Sequence, residues 1–194
     1  MAGIGFELRK LLRKDTLLGL IRAYAYAGVI SSGPWVLSII GILIIGIFSL
    51  GMVVPDLAVT QFQVTVTYLI AGSLVLTGIV QLAFTRFCAD RSFEQREDLI
   101  LPNFGGVTVL VTLIAGCLSL LIALFLFPAQ SILFRVLLVA SFVVLSNIWI
   151  ATVFLSGMKQ YKAILWLYAL GYTVTVLAAL LLRFLGLEGL LLGF

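Results

Sequence analysis

Histidine is missing from this chain altogether, and cysteine occurs only twice. A Cys/His metal site therefore cannot be assembled from these residues, and no imidazole is present to act as acid or base. Cys88 and Cys117 are expected at different depths, one near a membrane face and one inside an apolar run, farther apart than a disulfide can reach. Charge is equally scarce: 10% of the residues carry it, against about 25% in an average globular protein. No basic cluster for nucleic acid occurs beyond the first 22 residues, and the net charge of +4 is unremarkable. A Gly-rich phosphate loop, a nucleophile elbow and an ATP motif are also lacking. The reading is therefore a non-enzyme without cofactor or metal, and ATP-driven transport by this chain alone is excluded.

What the chain does have is apolar surface. Hydrophobic residues make up 63% of it, more than a water-soluble fold of 194 residues could hide, which places it among integral membrane proteins. Ile4, Leu8, Leu11 and Leu12 gather on one side of a helix, while Arg9, Lys10, Arg13 and Lys14 take the other. A helix of that kind lies in the membrane interface, with its basic side chains toward anionic head groups. This interfacial anchor is predicted for residues 1–22, and a transmembrane bundle for 23–194.

The first span is predicted at 33–54, where no charged side chain occurs. Twenty-two residues at about 1.5 Å each give roughly 33 Å, enough for a hydrocarbon layer of about 30 Å. The run is too long for the core of a cleaved signal, which is only about 7–15 residues. Further spans fit 62–85, 104–127, 132–156 and 163–182, with a partial sixth from about 187. The charged segment 86–103 is expected as a loop. The apolar ending GLLLGF is expected to break off inside that sixth crossing. Ten of the twelve Lys and Arg residues fall before the first span, between the second and third, or between the fourth and fifth. The opposite side keeps only Arg135 and Arg183, so the N-terminus is expected in the cytoplasm.

Polar residues inside apolar runs are the candidates for function, because lipid cannot satisfy them. Arg135 and Arg183 lie near the outer ends of their spans, where they either snorkel to the interface or turn toward a water-filled path. Asn147 sits mid-span and must meet another helix or water. Ser73, Thr77, Gln81 and Thr85 recur every four residues, forming one stripe, and of these Gln81 is the costly one in lipid. Tyr168, Tyr172 and Thr175 share a face, as do Thr108, Thr112 and Gly116. Either face serves helix packing, and the alternative for the tyrosines is to line a substrate path by aromatic stacking. Gly33, Pro34, Gly41 and Gly46 make the first span the hinge candidate, since proline interrupts a helix and the glycine spacing of five is not that of a dimer face. The acidic residues between Asp90 and Asp98, Glu94 among them, have no nucleophile or metal partner and read as a solvated turn. No Asp or Glu falls within the five spans, so the chain lacks the carboxylate that proton or sodium coupling generally uses.

The opening GIGFELRKLL, followed by RAYAYAGVISSGPWVLSI, resembles the N-terminus of the PelG family, the multispanning inner-membrane component of bacterial Pel exopolysaccharide export. That family is related to the flippase superfamily containing lipid-linked oligosaccharide flippases and multidrug extruders. The resemblance implies an all-α polytopic membrane protein: the amphipathic helix, five transmembrane helices and the start of a sixth, one bundle of a twelve-helix fold. It implies transport of an exopolysaccharide or its precursor across the bacterial inner membrane, with the lipid bilayer, the polysaccharide, other Pel synthase components and a cytoplasmic glycosyltransferase as partners. The alternative is a membrane scaffold that anchors the glycosyltransferase. A lipid-linked oligosaccharide flippase or a small-molecule antiporter is the weaker one.

Overall fold

Long uninterrupted helices follow from apolar runs whose backbone groups have no water to bond. The computed structural model of the chain describes residue 21 and residues 36–50, 57–158 and 160–194. Among the described residues all regular structure is helical: α1 Val36–Ser49, α2 Leu57–Phe93, α3 Ile100–Phe125, α4 Ile132–Gly157, α5 Tyr161–Leu182 and α6 Gly186–Gly193. The four apolar stretches that contain α2, α3, α4 and α5 are long enough to cross a membrane. The interfacial anchor residues Arg9, Lys10, Arg13 and Lys14, the hinge candidates Gly33 and Pro34, and the connection at Pro55 lie outside the described residues.

The helix ends depart from expectation around residues 86–103. Much of that charged segment is helical, with α2 running on to Phe93 and α3 beginning at Ile100. Pairs at helical spacing explain the extension: Arg86 bonds Asp90 at 3.1 Å and Arg91 bonds Glu94 at 2.7 Å. Arg91 also lies over the Phe87 ring, 5.6 Å from its centre. The reversal is confined to a tight turn with Gln95 at φ 56°, followed by a 3₁₀ turn at Glu97–Leu99. Ser131 caps the start of α4 by accepting from the Phe134 amide at 3.0 Å.

Helix α4 is the centre of the packing, with α2 on one side and α3 on another. Phe62, Val66, Phe134, Leu138, Phe142 and Trp149 form its buried seam with α2. A second cluster gathers Phe84, Cys88 and Ile100 with Phe104 and Phe154, whose rings stack at 4.5 Å. Gly157 allows this convergence, since a Cβ there would stand 2.9 Å from the Cys88 Cβ. The outward stripe of α2 is apolar as well: Val75 and Ile79 are both 81% exposed. Leaving such side chains in water would forgo about 1.5–3 kcal/mol each, so lipid is the solvent for this face.

The apolar stretch Lys162–Gly193 is not one rod. A 3₁₀ turn at Arg183–Leu185 leads into Gly186 at φ 69°, a conformation that glycine adopts without a Cβ penalty. Helix α6 then folds back antiparallel on α5, with Gly189 against the Leu182 carbonyl and Gly193 against the Ala179 backbone. A side chain at either glycine would collide with that backbone, so the pair works as a small-residue contact at i, i+4. Leu190 and Leu191 of α6 are buried in the core shared with α2 and α4.

Candidate functional site

While α2 and α3 hold α4 along its length, α5 meets α4 over little surface. Between α4 and α5 lies a gap of about 300 Å³, at the lower end of the roughly 300–1,000 Å³ usual for small-molecule sites. From α4 come Leu145, Ile148, Trp149, Thr152 and Leu155, which recur at helical spacing and so share one face. Tyr168, Gly171, Tyr172 and Thr175 face them from α5, and Phe194 also lines the gap. Among the described residues, no charged side chain lines it.

Three rings form a ladder along this gap. Trp149 and Tyr168 stack with centres 6.5 Å apart and planes 29° off parallel, and Tyr168 and Tyr172 stack at 6.0 Å and 22°. Each ring has its polar edge engaged by a hydroxyl. The Trp149 indole N–H donates to Ser73 Oγ on α2 at 2.9 Å, the Tyr168 hydroxyl lies 2.8 Å from Thr152 Oγ1 on α4, and the Tyr172 hydroxyl bonds Ser38 on α1. Buried Tyr and Trp need such partners, because an unmade hydrogen bond in a dry interior is costly. The result is a slot whose described lining is uncharged, with apolar walls and a few polar atoms, suited to a neutral ligand having one apolar face and scattered hydroxyls.

Of the residues singled out from the sequence, Tyr168, Tyr172 and Thr175 are brought together here. The others lie elsewhere. Asn147, on α4, donates at 2.9 Å to Thr112 Oγ1 of α3 and to its own helix at the Val143 carbonyl. Its Oδ1 and the Thr108 hydroxyl are buried without a partner among the described residues. Gln81 donates to Thr77 Oγ1 at 2.8 Å along α2, within the expected stripe, in which Ser73 and Thr77 are fully buried. Arg135 binds the carbonyls of Pro128 and Gln130 in the turn before α4. Arg183 donates at 2.8 Å to the Phe48 carbonyl at the end of α1, where a helix exposes unpaired acceptors.

Gly41 and Gly46 lie inside the described stretch of α1 and mark close approaches. Gly41 faces Tyr172 and Val176, and Gly46 faces the Gln63 amide. Glu188, at the start of α6, accepts a hydrogen bond from the Ser131 hydroxyl. The candidate metal ligands His, Cys, Asp and Glu form no group of three among the described residues.

Sequence reasoning missed Trp149 and Thr152, which supply the α4 side of the slot. Their signal was present, an aromatic and a hydroxyl three residues apart and so on one helix face. What periodicity does not tell is that this face meets Tyr168. A family model described as "PelG: Putative exopolysaccharide Exporter (EPS-E)" matches residues 1–194. No curated protein and no solved structure matches the chain.

Proposed function

The chain belongs to the PelG family of exopolysaccharide exporters, and on that premise we propose that the slot between α4 and α5 is a stretch of the path along which the polymer is handled. The protein is a membrane transport subunit, not an enzyme, and it works in the bacterial inner membrane with its N-terminus in the cytoplasm, beside the synthase components that make the chain. The observation that carries this reading is the ladder of Trp149, Tyr168 and Tyr172 in a slot whose described lining carries no charge. A pyranose ring presents C–H groups on one face and hydroxyls around its edge. Stacked aromatic faces can hold the first while Thr152 and Thr175 bond the second, without fixing any single unit in place. A moving polymer needs contacts that are numerous, weak and repeated, which argues for rings over charged clamps.

The test is polymer translocation into vesicles that carry the assembled export system. Two aromatic contacts at about 0.5–1.5 kcal/mol each predict that Tyr168→Ala with Tyr172→Ala slows translocation roughly tenfold while the complex stays assembled. Replacing Arg135, Asn147 and Arg183 together should act through assembly and stability, since all three are committed to protein partners. Unchanged translocation in the double tyrosine variant would overturn the path and favour a scaffold that anchors the glycosyltransferase.

A further inference from the structure

We propose that Ser73 is a positioning residue for the polymer slot: it does not line the slot, and it sets the plane of the Trp149 ring that does. This rests on the reading of the slot as a sugar site. Ser73 is fully buried on α2, and its hydroxyl donates to the Ile70 carbonyl one turn back at 3.0 Å. That bond uses the one proton the hydroxyl has and directs a lone pair away from its own helix. The indole of Trp149 can only donate, and its N–H meets Ser73 Oγ at 2.9 Å. Donor and acceptor roles are thus settled by local backbone geometry.

The consequence is orientational. An indole packed between apolar neighbours has few ways to orient, and satisfying its buried N–H selects one of them. The selected orientation leaves the ring 29° from the plane of Tyr168, the first step of the ladder. Thr152 and Ser38 anchor the two tyrosines in a similar way, but Thr152 itself faces the slot and would touch a ligand. Ser73 is separated from the ligand by the indole it anchors. Any effect of Ser73 on sugar binding must therefore pass through Trp149.

The experiment uses the chain in nanodiscs with Trp149 as the sole tryptophan, by Trp35→Phe and Trp166→Phe, titrated with chitotetraose and with maltotetraose. The parent is expected to show saturable binding and a change in Trp149 emission. Ser73→Ala should shift the ligand-free emission and weaken binding about three- to tenfold, the range for one lost hydrogen bond. Ser73→Thr, which keeps the hydroxyl, should restore affinity to within about twofold. Should the alanine variant not fold, the Thr and Val variants at this position, equal in shape and differing by the oxygen, carry the comparison. Calorimetry closes the cycle: in a Trp149→Phe background Ser73→Ala should change affinity no further. A further loss there, or parent-like affinity in Ser73→Ala, overturns the positioning role alone. A parent chain that binds neither sugar overturns the slot reading, and this inference with it.

Discussion

Asn147 illustrates how a polar side chain is tolerated between lipid-facing neighbours. Its amide bridges α4 to Thr112 of α3 and returns a second bond to its own backbone, so the donor end is satisfied twice while the acceptor end has no partner among the described residues. Interhelical bonds of this kind average about 0.6 kcal/mol in membrane proteins, with a maximum near 1.7 kcal/mol. Asn147→Ala is therefore expected to destabilise the fold by about 1 kcal/mol, and a cycle with Thr112→Val to return a coupling of about 0.6 kcal/mol. Unfolding in mixed micelles followed by circular dichroism measures both, and a coupling of zero would mean that the bridge does not form. At this scale the sequence was legible in kind and not in partner. That Asn147 must meet a helix or water follows from its amide. That Arg135 turns back on the carbonyls before α4 depends on the local path of a turn, which hydropathy does not describe.

Elements were easier to read than contacts, because an apolar run without charges has only one way to satisfy its backbone in lipid. The expected segments 104–127, 132–156 and 163–182 overlay α3, α4 and α5 closely. The end of α2 was misjudged because Arg86, Asp90, Arg91 and Glu94 read as loop by composition, yet their spacing pairs them along a helix. Gly189 and Gly193 carry no signal of their own in hydropathy: a sixth crossing is expected here, but only the close approach of α6 to the α5 backbone makes these two positions a packing contact. Adding bulk at a backbone contact costs about 1–3 kcal/mol, so Gly193→Val should loosen α6 from α5. Hydrogen exchange should then quicken across residues 186–193 while the seam between α2 and α4 keeps its protection. Unaltered exchange over α6 would refute the contact.

For the molecule as a whole, the distribution of basic residues predicts which side each turn occupies. Single cysteines at Gln95 and at Ala129, in a chain carrying Cys88→Ala and Cys117→Ala, should label from opposite faces, with Gln95 reached from the cytoplasm. Labelling of Gln95 from outside would reverse the layout. Which apolar runs are helical can be inferred from hydropathy; which helices are neighbours cannot, since lipid-facing and partner-facing stripes are made of the same residues. That is why the face of Tyr168 and Tyr172 was visible while its companion on α4 was not.

The ladder has its rungs fastened to different uprights: the indole to α2, one phenol to α4, the next to α1. Sliding α2 against α4 therefore strains the seat of Trp149, and sliding α1 against α5 strains that of Tyr172, so the stack ties the register of four helices together.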